Sequence, residues 1–149
     1  MSTPAPDPPD SDSPVGDDVL VYRLIPISSC TPVNGEWEFQ SGAFDNATPV
    51  SDDESSEDMS VILGDRLAVL GRVPHELPAE TPCAVDPDQW GVAVLEARFL
   101  RHEESQELRR TPIEEEPAHG DVRGRKNPKR RRRLKAHANW IVQPARHPD

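Results

Sequence analysis

The distribution of apolar residues limits what this chain can fold into. The first 18 residues contain five prolines and five aspartates, so ordering them would cost more conformational entropy than burial returns. Residues 45–58 form a second acidic stretch, and excluding both leaves roughly 115 residues, enough for one modest core. We predict a disordered acidic, proline-rich tail (1–17), a single domain (18–144) with an acidic loop (45–58), and a short C-terminal tail (145–149).

Charge is divided unevenly along the chain. Residues 1–122 contain 26 acidic and 7 basic residues, whereas residues 123–149 contain 10 basic residues and one acid. Nine of these basic residues lie between Arg123 and Lys135, a segment called the basic block below. Such a block requires anions nearby, either the phosphates of a ligand or the chain's own carboxylates.

The sequence does not favour a membrane, secreted or metal protein. No apolar run approaches the roughly 20 residues of a membrane span, and the acidic N-terminus does not resemble a signal peptide, so we expect a cytoplasmic protein without membrane contact. Cys30 and Cys83 have no C-x-x-C spacing, so we interpret both as reduced, with a disulfide between them as the alternative. His102, His119 and His137 lack i, i+4 spacing, and neither a metal nor another cofactor is predicted.

Strand patterns dominate the first part of the domain. The segment Asp18–Pro26 is rich in β-branched and apolar residues and ends at a proline, which predicts a strand. Glu36–Gln40 alternates after the turn pair Asn34-Gly35, which predicts a hairpin arm, and Trp90–Leu95 predicts another strand. Met59–Leu63 fits a strand or the start of a helix.

Helical patterns are fewer. Asp65–Leu70 predicts a short helix that ends at Gly71, and residues 96–108 have helical composition. The expected fold is therefore α+β, with a small, mostly antiparallel sheet packed against two or three short helices.

The C-terminal segment predicts a longer helix. Asn127 fits the N-cap and Pro128 the first helical position, where the missing N–H of proline costs no hydrogen bond. We expect this helix to continue through residues 129–142. Three apolar residues would form one stripe along it: Leu134, Ala138 and Ile141.

Six short motifs follow one another along the chain: Arg23-Leu-Ile-Pro26, Gln40-Ser-Gly-Ala-Phe44, Met59-Ser-Val61, Pro117-Ala-His-Gly-Asp-Val-Arg-Gly124, Arg132-Arg-Leu134 and Ala138-Asn-Trp-Ile141. In this order they resemble a set of short, uncharacterised bacterial proteins. The chain departs from that set by inserting the acidic loop between Phe44 and Met59. The resemblance implies a recurring domain over about residues 20–143, and it implies no activity and no catalytic residue.

The start of the basic block is the best candidate for a binding site. Gly124-Arg-Lys-Asn127 precedes a helix whose first N–H groups point outward, and glycine lets the backbone approach a ligand closely. The spacing of a P-loop is missing. The alternative is a solvated basic face that the chain's own acids neutralise. We predict phosphate or nucleic-acid binding by the cations of this region: Arg125, Lys126, Lys129, Arg130, Arg131, Arg132 and Arg133.

Arg23, Ser41 and His119 are weaker candidates for a catalytic site. A strand arginine followed later by a serine resembles the arrangement in ADP-ribosyltransferase folds, although the essential glutamate of those folds has no clear counterpart here. His119 lies two residues from Asp121, and a nearby carboxylate can orient an imidazole for acid–base work. The alternatives are structural: an arginine that pairs within the sheet, and a histidine with a polar neighbour.

Three classes of function remain open from the sequence. The first is a non-enzymatic cytoplasmic binding protein whose basic helix contacts phosphate, in nucleic acid or in another ligand. The second is a small transferase similar to ADP-ribosyltransferases, and the third is an acidic accessory protein that binds a larger protein. Convergence of Arg23, Ser41 and His119 in one pocket would favour the enzyme, whereas their separation and an exposed basic helix would favour binding.

Overall fold

The computed structural model describes residues 14–44, 58–80, 86–124 and 126–146. The helices in these ranges are α1 (Gly64–Val69), α2 (Leu77–Glu80) and α3 (Pro128–His137). Single turns of 3₁₀ or π helix lie at Ile27–Ser29, Ser41–Phe44, Pro74–Glu76, Pro87–Gln89 and Phe99–Glu103. The strands are β1 (Leu20–Pro26), β2 (Cys30–Val33), β3 (Glu36–Phe39), β4 (Asp58–Leu63), β5 (Trp90–Glu96), β6 (Glu107–Arg110), β7 (His119–Arg123) and β8 (Asn139–Val142).

Six of these strands form one sheet, in the order β6-β7-β4-β1-β5-β8, and β2 and β3 form a separate hairpin. Every pairing within the two sheets is antiparallel, which confirms the predicted α+β class. The hairpin turns at Asn34-Gly35, where φ is 51° and 81°, as a two-residue turn between twisted strands requires. None of the described helices is long and apolar enough to cross a membrane.

The sheet is covered on both faces because its side chains alternate between two buried clusters. Val21 of β1 packs in a cluster with Phe44 and with Leu134 of α3. Its neighbour Tyr22 packs in a second cluster with residues of α1 and α2. The turn Ser41–Phe44 and α3 therefore lie on one face, called the α3 face below, and α1 and α2 lie on the other.

Two predicted helical stretches are shorter than expected. The C-terminal helix ends at His137, and β8 follows it and pairs with β5. The chain leaves the helix because Trp140 packs on Phe39, with ring centroids 4.2 Å apart; Ile141 is 39% exposed and lies outside the predicted stripe. In the stretch 96–108, Glu96 ends β5, residues 97–103 are helical with a π-helical turn at Phe99–Glu103, and β6 begins at Glu107. The helix is short because Leu108 pairs with Val122 in the sheet.

The packed chain extends beyond both predicted boundaries of the domain. Val15, assigned to the tail by sequence, is 2% exposed within the main core, and the side chain of Arg101 donates to its carbonyl and to Asp17. At the other end, the carbonyl of Arg146 accepts a hydrogen bond of 2.8 Å from the indole of Trp37. Residues 1–13 of the predicted tail, 45–57 of the acidic loop and 147–149 lie outside the described residues.

Candidate functional site

The helix α3 begins as its sequence predicts. The Asn127 side chain accepts a hydrogen bond of 2.8 Å from the backbone N–H of Arg130, and Pro128 occupies the first turn. Leu134 is fully buried and fixes one side of the helix against the sheet. The six cations of the basic block from Lys129 to Lys135 are consequently held on a helix of defined orientation.

A buried carboxylate binds two of these cations. Glu104, which follows the π-helical turn, is 1% exposed. It accepts hydrogen bonds from Nε and Nη2 of Arg133 at 2.8 and 2.9 Å and from Nε of Arg130 at 3.2 Å. Burial alone would raise the pKa of Glu104, but the bonds and charges of the two arginines outweigh it and hold the pKa below its ordinary value. The Glu104 clamp, meaning Glu104 with Arg130 and Arg133, therefore ties α3 to the segment before β6.

Lys126 of the predicted phosphate loop is directed toward the protein. Lys126 is 5% exposed, and its Nζ donates to the carbonyls of Val122 and Gly124 at 2.9 and 2.8 Å. A Cβ at Gly124, whose φ is +150°, would lie 2.6 Å from the side-chain amide of Gln106. Glycine is thus required here for close packing on Gln106, and Lys126 satisfies backbone carbonyls. Arg125 lies outside the described residues.

Three cations remain on the side of α3 that faces solvent. Lys129, Arg132 and Lys135 are exposed, and none of them makes an ion pair with another described residue. Their spacing of three residues places them along one stripe about 9 Å long. Arg131 is half-buried at the edge of this stripe. We call Lys129, Arg132 and Lys135 the cationic stripe.

Arg23 holds the α3 face together. Its Nε donates to the carbonyl of Ala43 at 2.8 Å and its Nη1 to the carbonyl of Ser60 at 2.6 Å. These bonds join the turn that begins at Ser41 to β4. The side chain therefore has a structural role in which it satisfies backbone carbonyls of two elements.

His119 is directed away from Arg23. His119 is paired with Ile62, and Ile62 with Tyr22, so these three side chains share one face of the sheet and Arg23, next to Tyr22, lies on the other. The His119 Nδ1 lies 3.0 Å from the carbonyl oxygen of Thr111 and 2.8 Å from its hydroxyl. The structure brings Arg23 to the segment that carries Ser41 but separates it from His119.

The comparisons with known proteins give no match: no protein-family model, curated protein or solved structure matches this chain. Within the part of the chain that the structure describes, no group of three or more His, Cys, Asp or Glu residues could hold a metal ion.

Proposed function

We propose that this protein is a non-enzymatic, cytoplasmic binding protein that contacts the phosphates of a nucleic acid through the cationic stripe of α3. The observation that supports this proposal is the difference between the two sides of the helix. On the inner side, the carboxylate of Glu104, which is 1% exposed, pairs with Arg130 and Arg133 and offsets one of their two positive charges. The outer side presents three cations that no described carboxylate pairs.

The Glu104 clamp contributes by ordering the helix before a ligand arrives. A flexible basic arm would lose conformational entropy on binding, whereas a helix fixed by Leu134 and Glu104 loses little. Duplex DNA carries about one negative charge per 1.7 Å of its axis, so a stripe about 9 Å long faces several phosphates. Two or three contacts would give a log–log salt slope of about −2 to −3.

Binding through the stripe should depend little on base sequence. Two aromatic rings close to α3 pack against other side chains of the protein: Phe99 stacks on His137 with centroids 3.8 Å apart, and Trp140 packs on Phe39. Sequence-tolerant stacking on single-stranded bases needs accessible rings, and base-specific recognition needs side chains that reach base edges. Contacts to the phosphates of the nucleic-acid backbone require neither accessible rings nor side chains at base edges, so they are consistent with this packing.

The test compares two triple variants that lose the same charge. Lys129→Ala, Arg132→Ala and Lys135→Ala together remove the cationic stripe, while alanine preserves the helix. Arg98→Ala, Arg109→Ala and Arg146→Ala remove three exposed arginines elsewhere and serve as the control. Fluorescence anisotropy with a generic duplex and a single strand should show at least tenfold weaker binding for the stripe variant. Equal loss in both variants would mean that net charge alone governs binding, which would contradict the proposal.

A further inference from the structure

A small cavity lies at the end of the sheet where β4 and β6 end and β7 begins. Its lining consists of Leu63, Arg66, Arg110, Pro112, Pro117 and His119. It has a volume of about 10 Å³, room for about one water-sized sphere. Three of the six lining residues carry cationic or ionisable nitrogen groups. The opposite end of β7 leads to α3, so this cavity is separate from the cationic stripe.

Arg66 is buried without a hydrogen-bonded counterion. It lies on α1 with 7% of its surface exposed. Its side chain makes no hydrogen bond or salt bridge with another residue of the described ranges, although Asp65 attracts it electrostatically. A buried guanidinium has five N–H donors and is always charged. No nitrogen of Arg66 is both fully buried and unpartnered, so water or another group in the cavity can reach the guanidinium and supply the missing acceptor.

The nearest carboxylate is already engaged by the second arginine. Arg110 is 7% exposed, and its Nη1 and Nη2 donate to Asp65 at 3.1 and 2.5 Å. The bonds from Arg110 lower the pKa of Asp65 and keep it ionised. The Nε of Arg110 is buried and has no hydrogen-bond partner. This unsatisfied donor belongs to a side chain that lines the same cavity as Arg66.

The other polar groups around the cavity do not supply the missing acceptor. Glu116 is buried, but Nη1 and Nη2 of Arg72 bind its two oxygens at 2.5 and 2.8 Å. Burial would raise the pKa of Glu116, but these bonds outweigh it and hold the pKa below its ordinary value. The Nδ1 of His119 lies within hydrogen-bond distance of Thr111. Its Nε2 makes no hydrogen bond with another residue that the structure describes. The lining thus offers donors and an excess of positive charge.

We propose that this cavity binds one small anion between Arg66, Arg110 and His119. The volume fits a single oxygen of a phosphate group, and it fits a chloride ion after a small outward shift of the lining side chains; either ion supplies the negative charge that Arg66 lacks. The ion would join α1, the end of β6 and the start of β7. Its expected effect is therefore on the stability of the domain, independent of nucleic-acid binding.

The test measures Tm while chloride or phosphate is titrated at matched ionic strength. Wild type is compared with Arg66→Met, which removes the buried charge, and with Arg98→Met, which makes the same change at an exposed position. Once the site is mostly filled, each tenfold increase in the free concentration of the anion that binds should raise the Tm of wild type and Arg98→Met by about 5 °C more than that of Arg66→Met. A response to chloride identifies the halide, and a response to phosphate alone identifies the oxyanion. Parallel curves for all three proteins would overturn the proposal.

A second measurement covers the case in which Arg66→Met does not fold. Wild type and Arg98→Met should broaden the ³⁵Cl resonance if chloride occupies the site, or should bind phosphate in a calorimetric titration. Absence of both signals from folded wild-type protein would also overturn the proposal.

Discussion

The substitution Glu104→Gln should destabilise the domain by about 2 to 3 kcal/mol. Removing one partner of a buried ion pair costs about 3 to 5 kcal/mol, because the remaining charge stays buried. Here the loss is smaller, since the side chains of Arg130 and Arg133 are 23% and 43% exposed and can regain water. At about 4 °C per kcal/mol for a domain of this size, Tm should fall by about 8 to 12 °C.

The same substitution should remove the part of the pH dependence of the domain's stability that comes from Glu104. Because the folded-state pKa of Glu104 lies below its ordinary value of 4.5, its charge contributes stability that is present above pH 4.5 and is lost as pH falls through the folded pKa. The stability difference between wild type and Glu104→Gln should therefore be constant near neutral pH and shrink below pH 4.5.

Urea unfolding of both proteins across pH measures this difference, with Glu103→Gln as the control because Glu103 is the exposed neighbour. If Glu104→Gln and Glu103→Gln unfold at the same urea concentration, the Glu104 clamp contributes nothing and our account of how α3 is held is wrong.

Two further predictions concern the packing of the chain ends. Leu134→Asp should lower the free energy of unfolding by about 4 kcal/mol or more, because it places a charge on a fully buried position. Ala136→Asp, on the exposed side of α3, should unfold at nearly the same temperature as wild type, and circular dichroism during heating distinguishes the two variants. A folded Leu134→Asp would mean that α3 is a free arm. Deleting residues 1–13 should shift Tm by no more than about 2 °C. Extending the deletion through residue 17 should lower it by about 6 to 12 °C, because Val15 leaves the core; equal Tm values for the two deletions would refute the docking of residues 14–17.

Local signals predicted several elements of the fold correctly. The Asn34-Gly35 turn, the helix before Gly71 and the Asn127-Pro128 start of α3 all depend on neighbouring residues, so the sequence contains the information. The residue at which α3 ends cannot be predicted from neighbouring residues in the same way. Alanines and the spacing of Leu134 and Ile141 favour a longer helix, but pairing of β8 with β5 overrides that preference.

The site was predictable only in outline. Charge counting identified the basic block, and it left open whether phosphate or the chain's own acids neutralise it. Arg130 and Arg133 are bound by Glu104, which lies 26 and 29 residues away, and nothing local distinguishes this carboxylate from the other acids. The sequence placed Lys126 in a phosphate loop and did not predict that its side chain points inward. The partners of a long side chain depend on how distant segments pack, which no local pattern shows.

The salt dependence of nucleic-acid binding tests the central claim most directly. Dissociation constants for a generic duplex should be measured from about 50 to 200 mM salt for wild type and for the variant without Lys129, Arg132 and Lys135. Our account predicts a log–log slope of about −2 to −3 for wild type and a slope near zero, or no binding, for the variant. An unchanged slope in the variant, or no salt-sensitive binding by wild type, would contradict it.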